Sequence, residues 1–178
     1  SEFIYFGISN LLRQHGHEVF HFSMKDARNF PSPEERYFIE SVQYSGADAL
    51  RKVKNAASVV YSFEARRKMM GLLDAHPVDI VHLHNFHHQI TPSILPVIAA
   101  RRIPIVMTTH DLKIACPNYR MLTHDGICER CKGHNYYQCV LHACTKNSKL
   151  ASVFSAIEMY WQHWRRYLDL IDRFITPS

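Results

Sequence analysis

The sequence lacks any long hydrophobic run. None of its apolar stretches approaches the roughly 20 residues that a transmembrane helix requires, which excludes a typical membrane-spanning protein. Residues 3–12 are apolar, but without a basic start or a small-residue cleavage site they do not resemble a signal peptide. Internal repeats and low-complexity tracts are absent too. We therefore expect one cytoplasmic domain, because 178 residues with 47% hydrophobic content can form a hydrophobic core.

The net charge and the cysteine content limit the classes of ligand that we expect this domain to bind. The formal net charge is +5 and the sequence pI is about 9.0, which suits an anionic partner without choosing among phosphates, nucleic acids and lipid headgroups. The chain has five cysteines, and all of them lie between residues 116 and 144. In the reducing cytosol, clustered cysteines are typical of metal ligands rather than of disulfides.

The order of predicted elements indicates an α/β fold. The first half of the chain predicts a helix at 3–15 ended by Gly16, a strand near 18–22, a helical turn after Pro33 and a helix at 56–76. A strand near 79–83 follows, then a helix with Thr91 as its N-cap and Pro92 as its first residue, and then a strand near 104–109. The last two elements are a helix near 150–170 and a strand near 173–176. The strand–helix–strand unit over 79–109 is typical of parallel sheets. We expect a Rossmann-like parallel sheet with helices on both faces.

Polar residues follow two neighbouring predicted strands. His84 and Asn85 come after the strand near 79–83, and His110 and Asp111 come after the next strand. Ligands of open α/β sheets bind at the carboxyl ends of the strands, so these residues are candidates for ligand binding and catalysis. The alternative for Asp111 is a structural one, in which its carboxylate caps nearby backbone amides.

A second interpretation of the histidines is a catalytic metal site. His82 and His84 project to the same side of a strand and could grip one ion, and His110 could complete the site of a metal-dependent hydrolase. However, no obvious bridging carboxylate accompanies the pair, and His82 lies inside the strand, where a hydrogen-bonded core histidine is expected. We favour a site without a catalytic metal and keep the hydrolase as an alternative.

Residues 112–147, which we call the cysteine segment, predict a structural zinc site. Cys128-x2-Cys131 has the spacing of a metal knuckle, and Cys139 and Cys144 follow, so four thiolates lie within 17 residues. Four such ligands close a tetrahedral site with no open position. An adaptor module using this segment for binding is a further alternative, as are thiols without metal. Possible substitutes for one ligand are Cys116, His124, His134 and His142.

Several segments together resemble the N-terminal, acceptor-side domain of retaining, family-four type glycosyltransferases of the GT-B fold. They are SEFIYFGISNLLRQHGHEV (1–19), PVDIVHLHN (77–85), IPIVMTTHD (103–111) and RFITPS (173–178). A subgroup of that family carries HD…CP…C-x-x-C…C…S between these landmarks. The resemblance covers nearly the whole chain. It implies one Rossmann-like domain over 1–178, half of a GT-B fold, with the cysteine segment as an insertion.

The resemblance also implies an activity. It implies sugar transfer from a nucleotide-sugar donor to an acceptor hydroxyl, with retention and without a catalytic metal, in polysaccharide or glycolipid biosynthesis. His110 would lie near the transferring sugar, His84 and Asn85 would face a glycan or lipid-linked acceptor, and Glu2 would end a phosphate-facing turn at the first helix. The family's first strand and C-terminal donor-binding domain are missing from the sequence, so we expect this chain to be inactive alone. We expect no nucleic-acid partner.

The helix near 150–170 carries an apolar and aromatic stripe. We expect most of this stripe to pack on the sheet. Aromatic residues beside cations also suit the surface of an anionic membrane, so we further expect a peripheral contact at the inner face of the membrane. The stripe is Val153, Ile157, Tyr160, Trp161, Trp164, Leu168 and Ile171, and the cations are Lys146, Lys149, Arg165 and Arg166.

Overall fold

The computed structural model describes residues 2–40, 60–87, 90–123 and 126–176. Its helices are α1 (Glu2–Gln14), α2 (Phe63–Ala75), α3 (Leu95–Ala99), α4 (Tyr137–Leu141) and α5 (Lys149–Trp164). Its strands are β1 (Val81–Leu83), β2 (Ile105–Thr108), β3 (Leu122–Thr123), β4 (Gly126–Ile127) and β5 (Arg173–Ile175). Short 3-10 helices are Pro33–Tyr37, Pro92–Ile94, Lys132–His134 and Tyr167–Leu170. Residues 56–59, at the start of the helix predicted at 56–76, lie outside the described residues, and α2 begins at Phe63.

A parallel three-stranded sheet forms the centre of the fold. Its strand order is β1-β2-β5, and Val81 lies opposite Ile105 while Met107 lies opposite Phe174. The central strand is mostly buried, as its β-branched sequence favours. This confirms the parallel βαβ prediction and the strands predicted near 79–83, 104–109 and 173–176. A separate antiparallel pair, β3 with β4, lies in the cysteine segment.

The strand predicted near 18–22 is wrong. Residues 17–23 form no strand, and the nearest pairing is one isolated parallel bridge between Met24 and Ile39. A strand needs a neighbour that accepts its alternating hydrogen bonds, and no described strand lies alongside this segment. Instead, Val19 O accepts a hydrogen bond of 3.2 Å from Arg13 Nη2. The alternation of Phe20 and Phe22 therefore does not produce a strand.

Local capping explains where the helices begin and end. Gly16 has a φ of +83°, and the amides of Gly16 and His17 donate to the carbonyls of Arg13 and Leu12, which closes α1 in a Schellman motif as predicted. At the start of α2, the Ser62 hydroxyl accepts from Ala65 N at 3.0 Å. The predicted turn after Pro33 and the predicted cap at Thr91 are also confirmed.

The main hydrophobic core lies between the sheet and helices α2 and α3. Buried apolar side chains from all three interdigitate there, and Tyr167 joins them from the 3-10 helix that follows α5. The described residues contain no helix with the length and apolar character needed to cross a bilayer. The core includes Ala65, Met69, Leu73, Leu83, Ile98, Ile105 and Met107.

Helix α5 and the residues that follow it bury only part of the predicted apolar stripe. Trp164 is 70% exposed and Ile157 is also exposed, so these members of the predicted core stripe face away from the protein, whereas Trp161, Leu168 and Ile171 pack in or against the main core. The buried face carries small and polar side chains instead, because α5 packs against the cysteine segment and against buried Lys113. Its buried residues are Ser152, Ser155, Ala156, Glu158, Met159 and Gln162.

Candidate functional site

The carboxyl ends of β1 and β2 bring two predicted site residues into contact. His84 directly follows β1, and His110 lies two residues after β2. His84 Nδ1 lies 2.9 Å from His110 Nε2, a hydrogen-bonding distance, and the two rings stack with centroids 5.2 Å apart. Parallel neighbouring strands end at the same sheet edge, so the shared edge expected from the sequence is what the structure shows.

His82 extends this group inward along β1. Its Nε2 atom lies 2.8 Å from Thr108 Oγ1, and its ring centroid is 4.4 Å from that of His84. We call His82, His84 and His110 the strand-end site. Their hydrogen-bonded nitrogens face each other or Thr108 rather than a common point, and within the described ranges no three His, Cys, Asp or Glu side chains are arranged to hold an ion. This geometry does not favour the hydrolase alternative.

Burial favours the neutral form of all three imidazoles. Burial, with smaller effects of the neighbouring His82 and His110, lowers the pKa of His84 to about 4. Burial also lowers the pKa values of His82 and His110. At neutral pH the site therefore presents hydrogen-bonding imidazoles rather than fixed cations. In the His84–His110 pair one ring donates N–H and the other accepts, and the tautomers decide which.

A second polar group adjoins His84 from α1, and sequence reasoning missed it. The ring of Tyr5 packs edge-on against His84 with centroids 5.2 Å apart, and the Tyr5 hydroxyl contacts His21 Nδ1. Arg13 Nη2 lies 2.8 Å from His21 Nε2. Tyr5 and Arg13 lie on α1, whereas His21 lies beyond the end of that helix in a segment without a strand, so no local pattern marked the contact of His21 with them.

The protonation of this second group follows from donor and acceptor chemistry. A guanidinium can only donate, so His21 Nε2 accepts from Arg13, and Nδ1 must carry the proton that it donates to the Tyr5 oxygen. The hydroxyl proton of Tyr5 is then available for another acceptor. Burial raises the pKa of Tyr5 to about 12, so that proton stays in place at neutral pH.

The remaining predicted site residues have different environments. Asn85 is exposed beside His84. Asp111 is exposed as well, and its Oδ1 accepts from Lys113 N at 2.9 Å, which is the capping role that the sequence offered as its structural alternative. Glu2 is the first residue of α1, and the role expected of its carboxylate stays a prediction.

The cysteine segment gathers its thiols around one cavity. All five cysteines line this cavity of about 180 Å³, together with His142. Burial, with smaller effects of the nearby thiols, raises the pKa of Cys131 to about 12 and that of Cys144 to about 11. The thiols are not arranged as ligands of one ion in the described part of the chain, so zinc stays a prediction.

Two of the histidines considered as substitute ligands can be placed, and one cannot. His142 lines the cysteine cavity, whereas His134 stacks on His163 of α5 with ring centroids 3.6 Å apart. His124 lies outside the described residues.

Comparison with known families identifies the class of protein. The model of Glycosyltransferase Family 4 matches residues 6–178. The chain belongs to glycosyltransferase family 4. In this family 4 glycosyltransferase domain, the matched range contains all three histidines of the strand-end site and the whole cysteine segment. Membership implies a sugar donor and an acceptor as substrates in general. No curated protein and no solved structure gives a significant match to the chain.

Proposed function

We propose that this family 4 domain takes part in transferring a sugar from a nucleotide-sugar donor to an acceptor hydroxyl with retention at the anomeric carbon. The contact between His84 and His110 at the carboxyl edge of a parallel sheet supports this proposal most directly. The domain would be the acceptor-side half of a GT-B fold, with helices on both sheet faces and the cysteine segment as an insertion. The reaction would serve polysaccharide or glycolipid biosynthesis in the cytoplasm.

His110 would stabilise the transferring sugar through hydrogen bonding. Its Nε2 faces His84, so its Nδ1 is the nitrogen left for a substrate oxygen. During transfer the anomeric bond to the diphosphate breaks, a bond to the acceptor oxygen forms, and the proton of the acceptor hydroxyl passes to the departing diphosphate. A hydrogen-bond donor aimed at developing charge stabilises such a transition state without rearranging. The lowered pKa of His110 means that this donor is a neutral imidazole.

The acceptor would lie on the side of His84. Exposed Asn85 and the Tyr5 ring flank this histidine, and an amide and a hydroxyl suit the polar groups of a glycan or of a lipid-linked sugar. Glu2 would begin the helix whose amide-rich N-terminus suits an anionic diphosphate. Asp111 would support catalysis by shaping the loop after β2 through its bond to Lys113 N.

A test of this function uses the full-length protein and a panel of nucleotide sugars. We expect transfer to a sugar acceptor, and the anomeric coupling constant of the product by NMR should match that of the donor. Sugar transfer should proceed without an added divalent metal. An inverted product would contradict retention. Release of free sugar alone, dependent on an exchangeable metal and on His82, would instead identify a hydrolase.

We also propose that the cysteine segment binds one structural zinc ion. Cys128, Cys131, Cys139 and Cys144 would be the ligands, with Cys116 in reserve. Their shared cavity supports this, and four thiolates with Zn–S bonds of about 2.3 Å would form a closed tetrahedral site there. The ion would hold the segment together and take no part in sugar transfer.

The outer face of α5 supports a peripheral contact with an anionic membrane. Leu150 is 68% exposed and Trp164 is 70% exposed, and exposed Phe154 and Ile157 lie between them on the same face. Exposed cations stand at both ends of the helix: Lys146, Lys149, Arg165 and Arg166. Apolar side chains flanked by cations are typical of helices that lie in a membrane interface. A lipid-linked acceptor would be reached from such a surface.

A further inference from the structure

A buried ion pair lies behind the strand-end site. Lys113 and Glu158 are each 1% exposed, and Lys113 Nζ lies 2.8 Å from Glu158 Oε2. Lys113 Nζ also donates to Pro117 O at 3.1 Å, while Glu158 Oε1 accepts from Gln162 Nε2 at 3.2 Å. Both charges are therefore paired and hydrogen-bonded, which is the condition under which a protein interior tolerates them.

Stability alone does not account for this pair. Removing two charges from water is costly, and apolar side chains of similar volume often stabilise a fold as well as a buried ion pair does. An ion pair also fixes position, because the ammonium of Lys113 must stay beside the carboxylate of Glu158 on α5. Glu158 lies in the middle of that 16-residue helix, on the face buried against the rest of the protein.

The pair anchors one end of the turn that carries His110. We call residues 109–113 the His110 turn. At its start, Thr109 N donates to Ile175 O on β5 at 2.9 Å. At its end, Lys113 N donates to Asp111 Oδ1 at 2.9 Å, and the Lys113 side chain reaches Glu158. His110 is thus held between an attachment to the sheet and an attachment to α5.

Helix α5 is a firm base for the second attachment. Its buried Ala156 and Met159 pack with Tyr136 of the cysteine segment. Thr145 N donates to Ser152 Oγ at 3.0 Å and ties the same segment to the helix start. The packing of α5 against the cysteine segment therefore fixes the position of Glu158, and the ion pair with Lys113 ties the His110 turn to that position.

We propose that Lys113 and Glu158 are positioning residues that hold the His110 turn in the geometry that sugar transfer requires. The proposal rests on the proposed function, in which His110 contacts the transferring sugar. A displacement of about 1 Å at a reacting centre can lower the rate about 10²-fold, even when the altered residue does not touch the substrate. The ion pair would therefore affect turnover more than substrate binding.

The test replaces both charges in the full-length protein. The Lys113→Met/Glu158→Leu double variant removes the ion pair and leaves no charge buried alone. We expect its Tm to stay close to that of the wild type, its kcat to fall about 10- to 100-fold, and its KM for donor and acceptor to change little. A merely structural pair would leave kcat unchanged whenever the protein folds.

A second readout does not depend on sugar transfer. Hydrogen exchange of the amides at 110–113 should accelerate in the double variant, and the ring signals of His110 should shift. Wild-type exchange together with wild-type kcat would overturn the proposal. If the wild-type protein transfers no sugar but the double variant still loosens the His110 turn, then the proposed function fails while the anchoring role is supported.

Two further variants complete the experiment. Asp74 and Arg101 form an ion pair at the surface, and the Asp74→Asn/Arg101→Met variant should match the wild type in every readout. If the first double variant does not fold, Glu158→Asp keeps the charge but withdraws it by one methylene. A lowered kcat with unchanged KM and faster exchange at 110–113 would support the proposal, and wild-type values would contradict it.

Discussion

At the scale of single residues, the contact between two neutral histidines defines what the strand-end site can do. His84 and His110 share one hydrogen bond, and burial lowers the pKa of each. Protonating both rings would place two donors face to face and break that bond. The site is therefore suited to hydrogen bonding at neutral pH and should fail in acid.

Removing the His110 imidazole should affect catalysis more than binding. In the full-length protein we expect His110→Ala to lower turnover about 10²- to 10³-fold, because one aimed hydrogen-bond donor is lost. Acceptor affinity should change little, since His84 and Asn85 remain. Steady-state kinetics and acceptor titration measure the two effects. His17→Ala, which removes an exposed histidine, is the control, and near wild-type turnover in His110→Ala would make His110 a structural residue.

The strand-end site also predicts how stability depends on pH. The pKa of His84 is about 4 in the folded protein, against an ordinary value of 6.5. Between these values the unfolded chain binds more protons, so the stability conferred by neutral His84 is complete above pH 6.5 and is lost as the pH falls towards 4. We expect urea denaturation at a series of pH values to show this loss, and His84→Gln to reduce its slope.

The control for the pH experiment is another histidine. His17 is exposed, and the His17→Gln variant should leave the slope between pH 6.5 and 4 unchanged. Equal slopes in wild type and His84→Gln would show that His84 titrates normally in the folded protein.

At the scale of elements, the cysteine segment and α5 behave as one packed unit. Tyr136 contacts buried side chains of α5, and Thr145 bonds to Ser152 near the helix start. The short β3–β4 pair and the cysteine cavity belong to the same segment. A ligand in that cavity would therefore stabilise α5 as well as the segment itself.

Zinc binding is the prediction that belongs to this unit. We expect elemental analysis to find one zinc per chain, and Cys128→Ser or Cys131→Ser to remove it. Chelation should accelerate hydrogen exchange over 112–147 and spare β1, β2 and β5, because the segment closes on itself. Cys116→Ser is the control and should keep the ion. Metal-free protein from a reducing, zinc-supplemented preparation would contradict the prediction, as would sulfurs of Cys128 and Cys131 that point apart in its structure.

At the scale of the whole molecule, the chain presents an apolar surface with cations at its borders. Leu150, Phe154, Ile157 and Trp164 form this surface on the outside of α5, while the inner face of the helix is small and polar. An exposed stripe with two large aromatic side chains would be costly without something to cover it. The net charge of +5 agrees with an anionic covering surface.

Binding to anionic vesicles tests this surface. We expect weak, salt-sensitive sedimentation with phosphatidylglycerol vesicles and much less with phosphatidylcholine vesicles. The Lys149→Glu/Arg165→Glu/Arg166→Glu variant should lower binding about 10²-fold or more, since each basic residue contributes about 1 kcal/mol. The control is Arg66→Glu/Arg67→Glu/Arg102→Glu, which makes the same charge change at exposed arginines elsewhere. Absence of binding at low salt would contradict the prediction.

Local sequence patterns determined the parallel βαβ unit, the caps at Gly16 and Thr91, and the sheet edge where His84 meets His110. Such features depend on residues close together in the chain, because a cap, a strand alternation or a strand end needs only its immediate neighbours. The polar residues at the ends of the predicted strands were therefore enough to locate the strand-end site, but they did not establish its hydrogen bonds.

Only the tertiary structure decided which faces and which distant side chains meet. The segment at 18–22 alternates like a strand but has no described strand beside it, and α5 buries Glu158 against Lys113 while Phe154 and Trp164 stay exposed. Tyr5 and His21 meet across 16 residues of chain. Strand pairing, burial and charge compensation depend on the part of the fold that packs against each helix or strand. A sequence pattern predicts which face of a helix or strand is apolar, but it does not predict what packs against that face.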